Sequence, residues 1–228
     1  VQNIESKLNL DFLIDINEGM QIKVYTNLKS DDYIDLYGRG TVNAIYDEKD
    51  GFSLKGNMDL DRGAYKITIQ DIFTKEFSIT KGSSLQFNGN PYEANLDLKA
   101  KYFVPSASLS ALTTETTTRK NVKVNCLLGI TGTLESPVLS FDLELPEGSE
   151  EEKEMLASAT STPEQKNTQF IYLLSIGKFY TYDYTSPLAT GTQNTTAVES
   201  LISNALSGQL NNMLGQIIDN NNWNISGN

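Results

Sequence analysis

The chain has 228 residues, 39% of them apolar, and carries 29 acidic against 18 basic side chains for a formal net charge of −11. That balance works against nucleic-acid binding, which draws its affinity from Lys and Arg on phosphates, and against adsorption to an anionic membrane surface. Histidine is absent and there is one cysteine, which excludes Ser–His and Cys–His catalysis, His-ligated metals, an intrachain disulfide and CxxC chemistry.

From the first residues to Pro146 the dominant signal is alternation, the period of a half-buried strand. Leu8, Leu10, Phe12, Ile14 and Ile16 share one side against Asn9, Asp11 and Asp15, and Asn17-Glu18-Gly19 is predicted to turn the chain. Ile22, Val24 and Leu28 follow, then Ile34, Leu36, Gly38, Gly40 and Val42 with Asp35 and Arg39 opposite. Asp50-Gly51 reads as a turn into Phe52, Leu54, Gly56, Met58 and Leu60. Tyr65, Ile67 and Ile69 come next, then Phe77 and Ile79, then Leu85 and Phe87.

A longer strand carries Leu96, Leu98, Ala100, Tyr102 and Val104. Beyond a Thr-rich loop at 112–118, Val122, Val124, Cys126, Leu128 and Ile130 alternate, and Leu139, Phe141, Leu143 and Leu145 close the series. Each strand is expected to run for about 5–10 residues. No helical period intervenes, so neighbouring strands are expected to be antiparallel meander partners.

One face of such a sheet is apolar, and the other carries Asp, Lys, Asn and Thr. A closed sandwich or barrel would use the apolar face as its own core. A trough would leave that face only partly satisfied by the chain itself, and inward-facing Gly38, Gly40 and Gly56 would permit it to bend tightly.

After Pro146 the pattern changes to helix. Ser149-Glu-Glu-Glu152 and Thr162-Pro163-Glu164-Gln165 are capping boxes, and the acidic first turn of the former suits the helix dipole. They predict helices near 149–160 and 164–177, the second carrying Phe170, Ile171, Leu173, Leu174 and Ile176 and ending at Gly177. Tyr180, Tyr182 and Tyr184 fall in an expected flexible stretch. A third box at Thr196-Ala-Val-Glu199 opens a helix over 196–218, on which Val198, Leu201, Ile202, Leu206, Leu210, Met213, Leu214 and Ile217 trace one face. Its polar face is almost free of cations, so it is expected to pack on protein, as a plug on the sheet or against a partner, rather than to lie on lipid. The expected division is a β domain over 1–146 and a helical segment over 147–228, together an excerpt of a longer protein.

Candidate chemistry is thin. Asp15-Ile-Asn17-Glu-Gly19 begins like a calcium loop, but its twelfth position is Thr26 rather than Glu and its flanks are strands, so a hairpin turn is expected. Asp31-Asp32 and Asp59/Asp61 are carboxylate pairs, the latter on the solvent side of a strand. Thr80-Lys81-Gly82-Ser83-Ser84 has phosphate-loop residue types without the spacing or the helix, and reads as a turn between strands. Cys126 lies in an alternating apolar stretch and reads as a small core side chain. No catalytic residue, metal or cofactor is expected.

The order of certain motifs is more specific. Gly63-Ala-Tyr65, then Phe77-Ser-Ile79-Thr-Lys-Gly82-Ser-Ser-Leu85-Gln-Phe87-Asn-Gly89, then Asn95-Leu96-Asp97-Leu98-Lys-Ala100-Lys-Tyr102 resemble the TamB C-terminal domain family. So do Val122-Lys-Val124, Ile130-Thr-Gly132-Thr-Leu134 and Leu145-Pro146, followed by the two apolar helices. TamB is the translocation and assembly module component of the AsmA-like, bridge-like lipid transfer superfamily. The Asn-rich tail and sparse arginine are similar to a Bacteroidota-type member.

The resemblance implies a mainly β fold, an antiparallel meander curled into a U-shaped β-taco with an apolar groove, followed by C-terminal amphipathic helices. It implies a periplasmic location, an inner-membrane anchor outside this segment and a C-terminal end at the outer membrane. It implies phospholipid acyl chains, a TamA or other Omp85-type barrel and outer-membrane protein clients as partners. The groove would be lined by Leu54, Met58, Leu60, Tyr65, Ile67, Ile69, Phe77, Ile79, Leu85, Phe87, Leu96, Leu98, Tyr102, Val122, Val124, Leu128, Ile130, Leu139, Phe141 and Leu143. Burying an acyl chain is worth about 0.8 kcal/mol per methylene, so a continuous apolar stripe could carry one through water without any catalytic group. Two other readings stand beside this conduit: a strand-templating chaperone or tether without lipid transport, and a closed β-sandwich that binds a ligand.

Overall fold

The alternating segments assemble into one large antiparallel sheet in the computed structural model, which describes residues 9–17, 19–27, 29–48, 51–69, 73–112, 121–133, 136–181 and 224–225. The strands are β1 (Asn9–Ile16), β2 (Gln21–Asn27), β3 (Asp32–Asp47), β4 (Gly51–Ile69), β5 (Phe73–Ile79), β6 (Ser83–Gly89), β7 (Asn95–Ser108), β8 (Asn121–Thr133) and β9 (Pro137–Glu144), with a two-residue β10 (Asn224–Ile225). Their order is β10-β2-β3-β4-β5-β7-β8-β9, with β1 also on β3 and β6 also on β4 and β7. Among the described residues no ladder joins β9 to β1 or β2, so the sheet curls without closing into a barrel.

Several strands are longer than the pattern predicts. β3 has 16 residues and β4 has 19, and the latter extends roughly 60 Å at about 3.3 Å per residue. The segments around Leu60 and Tyr65, read as separate strands, are one strand. Tyr37 pairs with Arg62 and Gly38 with Leu60, so Asp61 is an extra residue that switches which side chains of β4 point inward.

One expected hairpin is corrected, and an expected turn between strands proves to join two strands lying end to end. β1 pairs with β3 from Asp47 down to Gly40, and β2 continues along the same edge from Tyr37 to Asp32. β1 and β2 are therefore two parts of one long track rather than a hairpin, and Asn17 Oδ1 accepts the Gly19 N–H at 3.2 Å. Likewise β5 and β6 lie end to end along β4, with Ile79 opposite Gly63 and Ser83 opposite Leu60. Thr80-Lys81-Gly82 is thus a bulge, made possible by Gly82 at φ 84°. Gly- and Asn-rich chemistry serves bulges and hairpins equally. Only the register of the partner strand tells them apart.

Both described helices begin where their capping boxes predict. In α1 (Glu150–Ala159) the Glu152 N–H donates to Ser149 Oγ at 3.2 Å, and Ser149 N–H to Glu152 Oε2 at 2.8 Å. In α2 (Pro163–Ile176) Thr162 and Gln165 repeat the exchange, and Gly177 at φ 68° ends the helix by donating to Leu173 O. The helix expected over 196–218, the positions Tyr182 and Tyr184, and the Thr-rich positions 113–118 lie outside the described residues.

Candidate functional site

The ladders align the apolar side chains into rows across one face. Ile14, Val42, Gly56 and Phe87 form one row through β1, β3, β4 and β6. Leu10, Tyr46 and Phe52 form another nearer the end of the sheet. On the other wall Leu98, Ile130 and Leu139 align through β7, β8 and β9, followed by Ala100, Leu128 and Phe141, then Tyr102, Cys126 and Leu143.

The backbones of β3 and β4 approach closely at three glycines. A Cβ on Gly38 would meet the carbonyl oxygen of Asp59, one on Gly40 that of Asn57, and one on Gly56 that of Thr41. Each glycine stands opposite a larger inward side chain, Leu60, Met58 and Val42 respectively. This pair therefore needs glycine for close approach of the two backbones.

Burial changes along the trough. Met58, Leu60, Tyr65, Ile67, Phe77, Ile79, Leu85, Phe87, Leu96, Leu98, Val122, Val124, Leu128, Ile130 and Leu139 are buried in one contiguous core, with Leu54, Tyr102, Phe141 and Leu143 half-buried against it. Ile69 ends β4, and its side chain lies outside the described residues. At the end formed by β1 and the adjoining ends of β3 and β4 the same face opens. Leu10, Phe12, Ile14, Tyr46 and Phe52 are 36–57% exposed there.

The opposite wall is covered by α2. Phe170 stacks on Phe77 with ring centroids 6.2 Å apart and lies 4.7 Å from Phe141. Ile171, Leu173 and Leu174 join the same core. Lys166 pairs with Asp142 at 2.9 Å, and buried Gln169 makes two hydrogen bonds with the backbone of Tyr180. Phe170 was legible as apolar, but nothing in a helical period says which wall it meets. Lys75, on the same side as Phe77, donates to the Tyr102 hydroxyl at 3.3 Å and supplies a polar point on this face.

Three of the polar candidates, Asp61, Asp32 and Ser83, have structural partners. Asp61 sits in the β4 bulge, where Arg39 Nη2 reaches its carboxylate at 3.1 Å. Buried Asp32 accepts the N–H and hydroxyl of Thr68 at 2.8 and 2.7 Å, tying the start of β3 to β4. Ser83 spans the β5–β6 bulge, accepting the Lys99 N–H and donating to Thr80 O, each at 2.8 Å. Cys126 is buried, and desolvation pushes its thiol up to about 12. Among the described residues no group of His, Cys, Asp or Glu is arranged to hold a metal ion, and no helix is long and apolar enough to cross a membrane.

No curated protein matches the chain. The family model of the TamB C-terminal domain matches residues 2–228. With a curled antiparallel sheet that carries those motifs in that order, the chain belongs to the TamB C-terminal domain family, whose part in the cell is outer-membrane biogenesis and assembly.

Proposed function

We propose that this chain is a non-enzymatic conduit that accepts phospholipid acyl chains at the open end of its trough, as part of a periplasmic path toward the outer membrane shared with an Omp85-type barrel. The observation that carries this reading is the exposed row of Leu10, Phe12, Ile14, Tyr46 and Phe52, continuous with the buried stripe beneath it. Leaving such a row in water is unfavourable by about 25 cal/mol per Å2 of apolar surface, and an acyl chain laid along it would remove that term. The twenty lining positions keep their assignment in this reading, with Leu54 and Phe87 nearest the opening. In it α2 acts as a stopper at the other wall, and the helix over 196–218 serves as a further plug or as a partner surface.

Photo-crosslinking in cells tests the proposal. A benzophenone side chain at Phe12 or Phe52 is expected to capture phospholipid, whereas one at outward-facing Asn57 is not. Capture from Asn57 alone would overturn the conduit.

A further inference from the structure

Among the described strand residues the apolar face carries one cation. The ladders put a single lysine or arginine on the inward register, Lys75 of β5, opposite Ile67 of β4 and on the same side as Phe77. Lys75 is half-buried. Its ammonium donates to the Tyr102 hydroxyl at 3.3 Å and lies 5.1 Å from the centre of the same ring. Tyr102 in turn packs on Phe77 with ring centroids 5.9 Å apart. No carboxylate among the described residues pairs with Lys75. Its neighbour Glu76 accepts from Tyr33 on the outer face, and Asp32 is taken up by Thr68.

A charge drawn out of water without a counter-charge is unfavourable, so a lysine is a poor filler for an apolar face. Packing of its stem and the contact with the Tyr102 ring return only part of that cost. What the pair offers is donors. The ammonium has N–H groups to spare beyond the one on Tyr102, and the Tyr102 hydroxyl, an acceptor in that bond, keeps its own proton to donate. A phosphate bridging the two would accept from both and supply the missing negative charge. A phosphate that bears acyl chains would also gain from the apolar face around the pair. The net charge of −11 repels anions from afar, but that field is screened beyond about 10 Å at ordinary salt, whereas the pair acts at hydrogen-bond range. Resting on the acyl-chain reading above, we infer that Lys75 and the Tyr102 hydroxyl form a headgroup site that selects phosphate-bearing lipids over lipids without phosphate.

Calorimetry on the full chain tests this with three soluble probes. Dihexanoylphosphatidylcholine has a phosphate and no net charge, dihexanoylglycerol has the same chains without the phosphate, and glycerol phosphate has no chains. The phospholipid is expected to bind at least about tenfold more tightly than either of the others. Lys75→Met keeps the stem and should bring the phospholipid to within about twofold of the diglyceride, with diglyceride affinity as in the wild type. Lys75→Arg should keep the preference, and Tyr102→Phe should lose part of it. Equal wild-type affinity for phospholipid and diglyceride would overturn the headgroup site and leave the conduit standing. So would a preference that survives Lys75→Met, or loss of both lipids together in that variant, which would mark a packing role. Glycerol phosphate bound as tightly as the phospholipid would mark a site for free phosphate and overturn the lipid assignment. Binding of none of the probes would overturn the conduit, and the headgroup site with it.

Discussion

Phe170 of α2 lies almost flat on Phe77 of β5, their planes 10° apart, and so brings the helix onto the apolar face of the sheet. The same ring lies 4.7 Å from Phe141 of β9, so one side chain of the helix meets both β5 and β9. Phe170→Ala should cost about 3–5 kcal/mol in urea unfolding, the range for a buried aromatic cut to a methyl group. If α2 is a stopper, the variant should also bind an apolar dye such as N-phenylnaphthylamine more strongly. Lost stability without added dye binding would make α2 a structural helix only.

The β3–β4 pair separates two ways in which glycine is needed. Gly40→Val has to displace the Asn57 backbone and should cost about 3 kcal/mol. Gly51→Ala meets nothing within 4 Å but keeps φ at 78°, and should cost only the left-handed penalty of about 1–2 kcal/mol. Thermal unfolding of the two variants should rank them in that order.

The bulge at Thr80–Gly82 depends on Ser83. Ser83→Ala removes the acceptor of the Lys99 N–H and should cost about 1–3 kcal/mol, with faster hydrogen exchange at the Lys99 amide. Arg39→Ala at the other bulge breaks a half-exposed ion pair and should cost less than about 1 kcal/mol, a difference that shrinks in salt.

Stability should fall in alkali. Burial raises the Cys126 thiol from its ordinary 9.0 to about 12, so the folded chain keeps a proton that the unfolded chain releases. The corresponding stability is fully present below about pH 9 and is lost as pH rises toward 12, at up to about 1.4 kcal/mol per pH unit. The Tyr65 phenol is raised too, first by burial and then by the charge of Asp32, and adds to the loss above about pH 10. Denaturation midpoints for wild type and Cys126→Ala should converge as pH rises through this window.

Alternation made the apolar face legible, because a period of two assigns side chains to faces without knowledge of any partner. The capping boxes at Ser149 and Thr162 were legible for the same reason, since their bonds close within a few residues. Track lengths were not, because Asn17–Gly19, Asp61 and Thr80–Gly82 differ from hairpins only in the register of a strand elsewhere in the chain. Nor was the contact of Phe170 with Phe77, which joins positions far apart in sequence. The opening itself is a matter of exposure: Phe12 and Phe52 alternate just as Leu36 and Met58 do, yet the first pair stands in water and the second is buried.

Phospholipid carried by the purified full chain is the most direct measure of the trough. Lipid extraction and quantification should find bound phospholipid on the wild type, a clear loss with Phe12→Asp, Phe52→Asp at the opening, and retention with Asp11→Lys on the outer side. Equal amounts on all three, or none on any of them, would contradict an acyl-chain conduit.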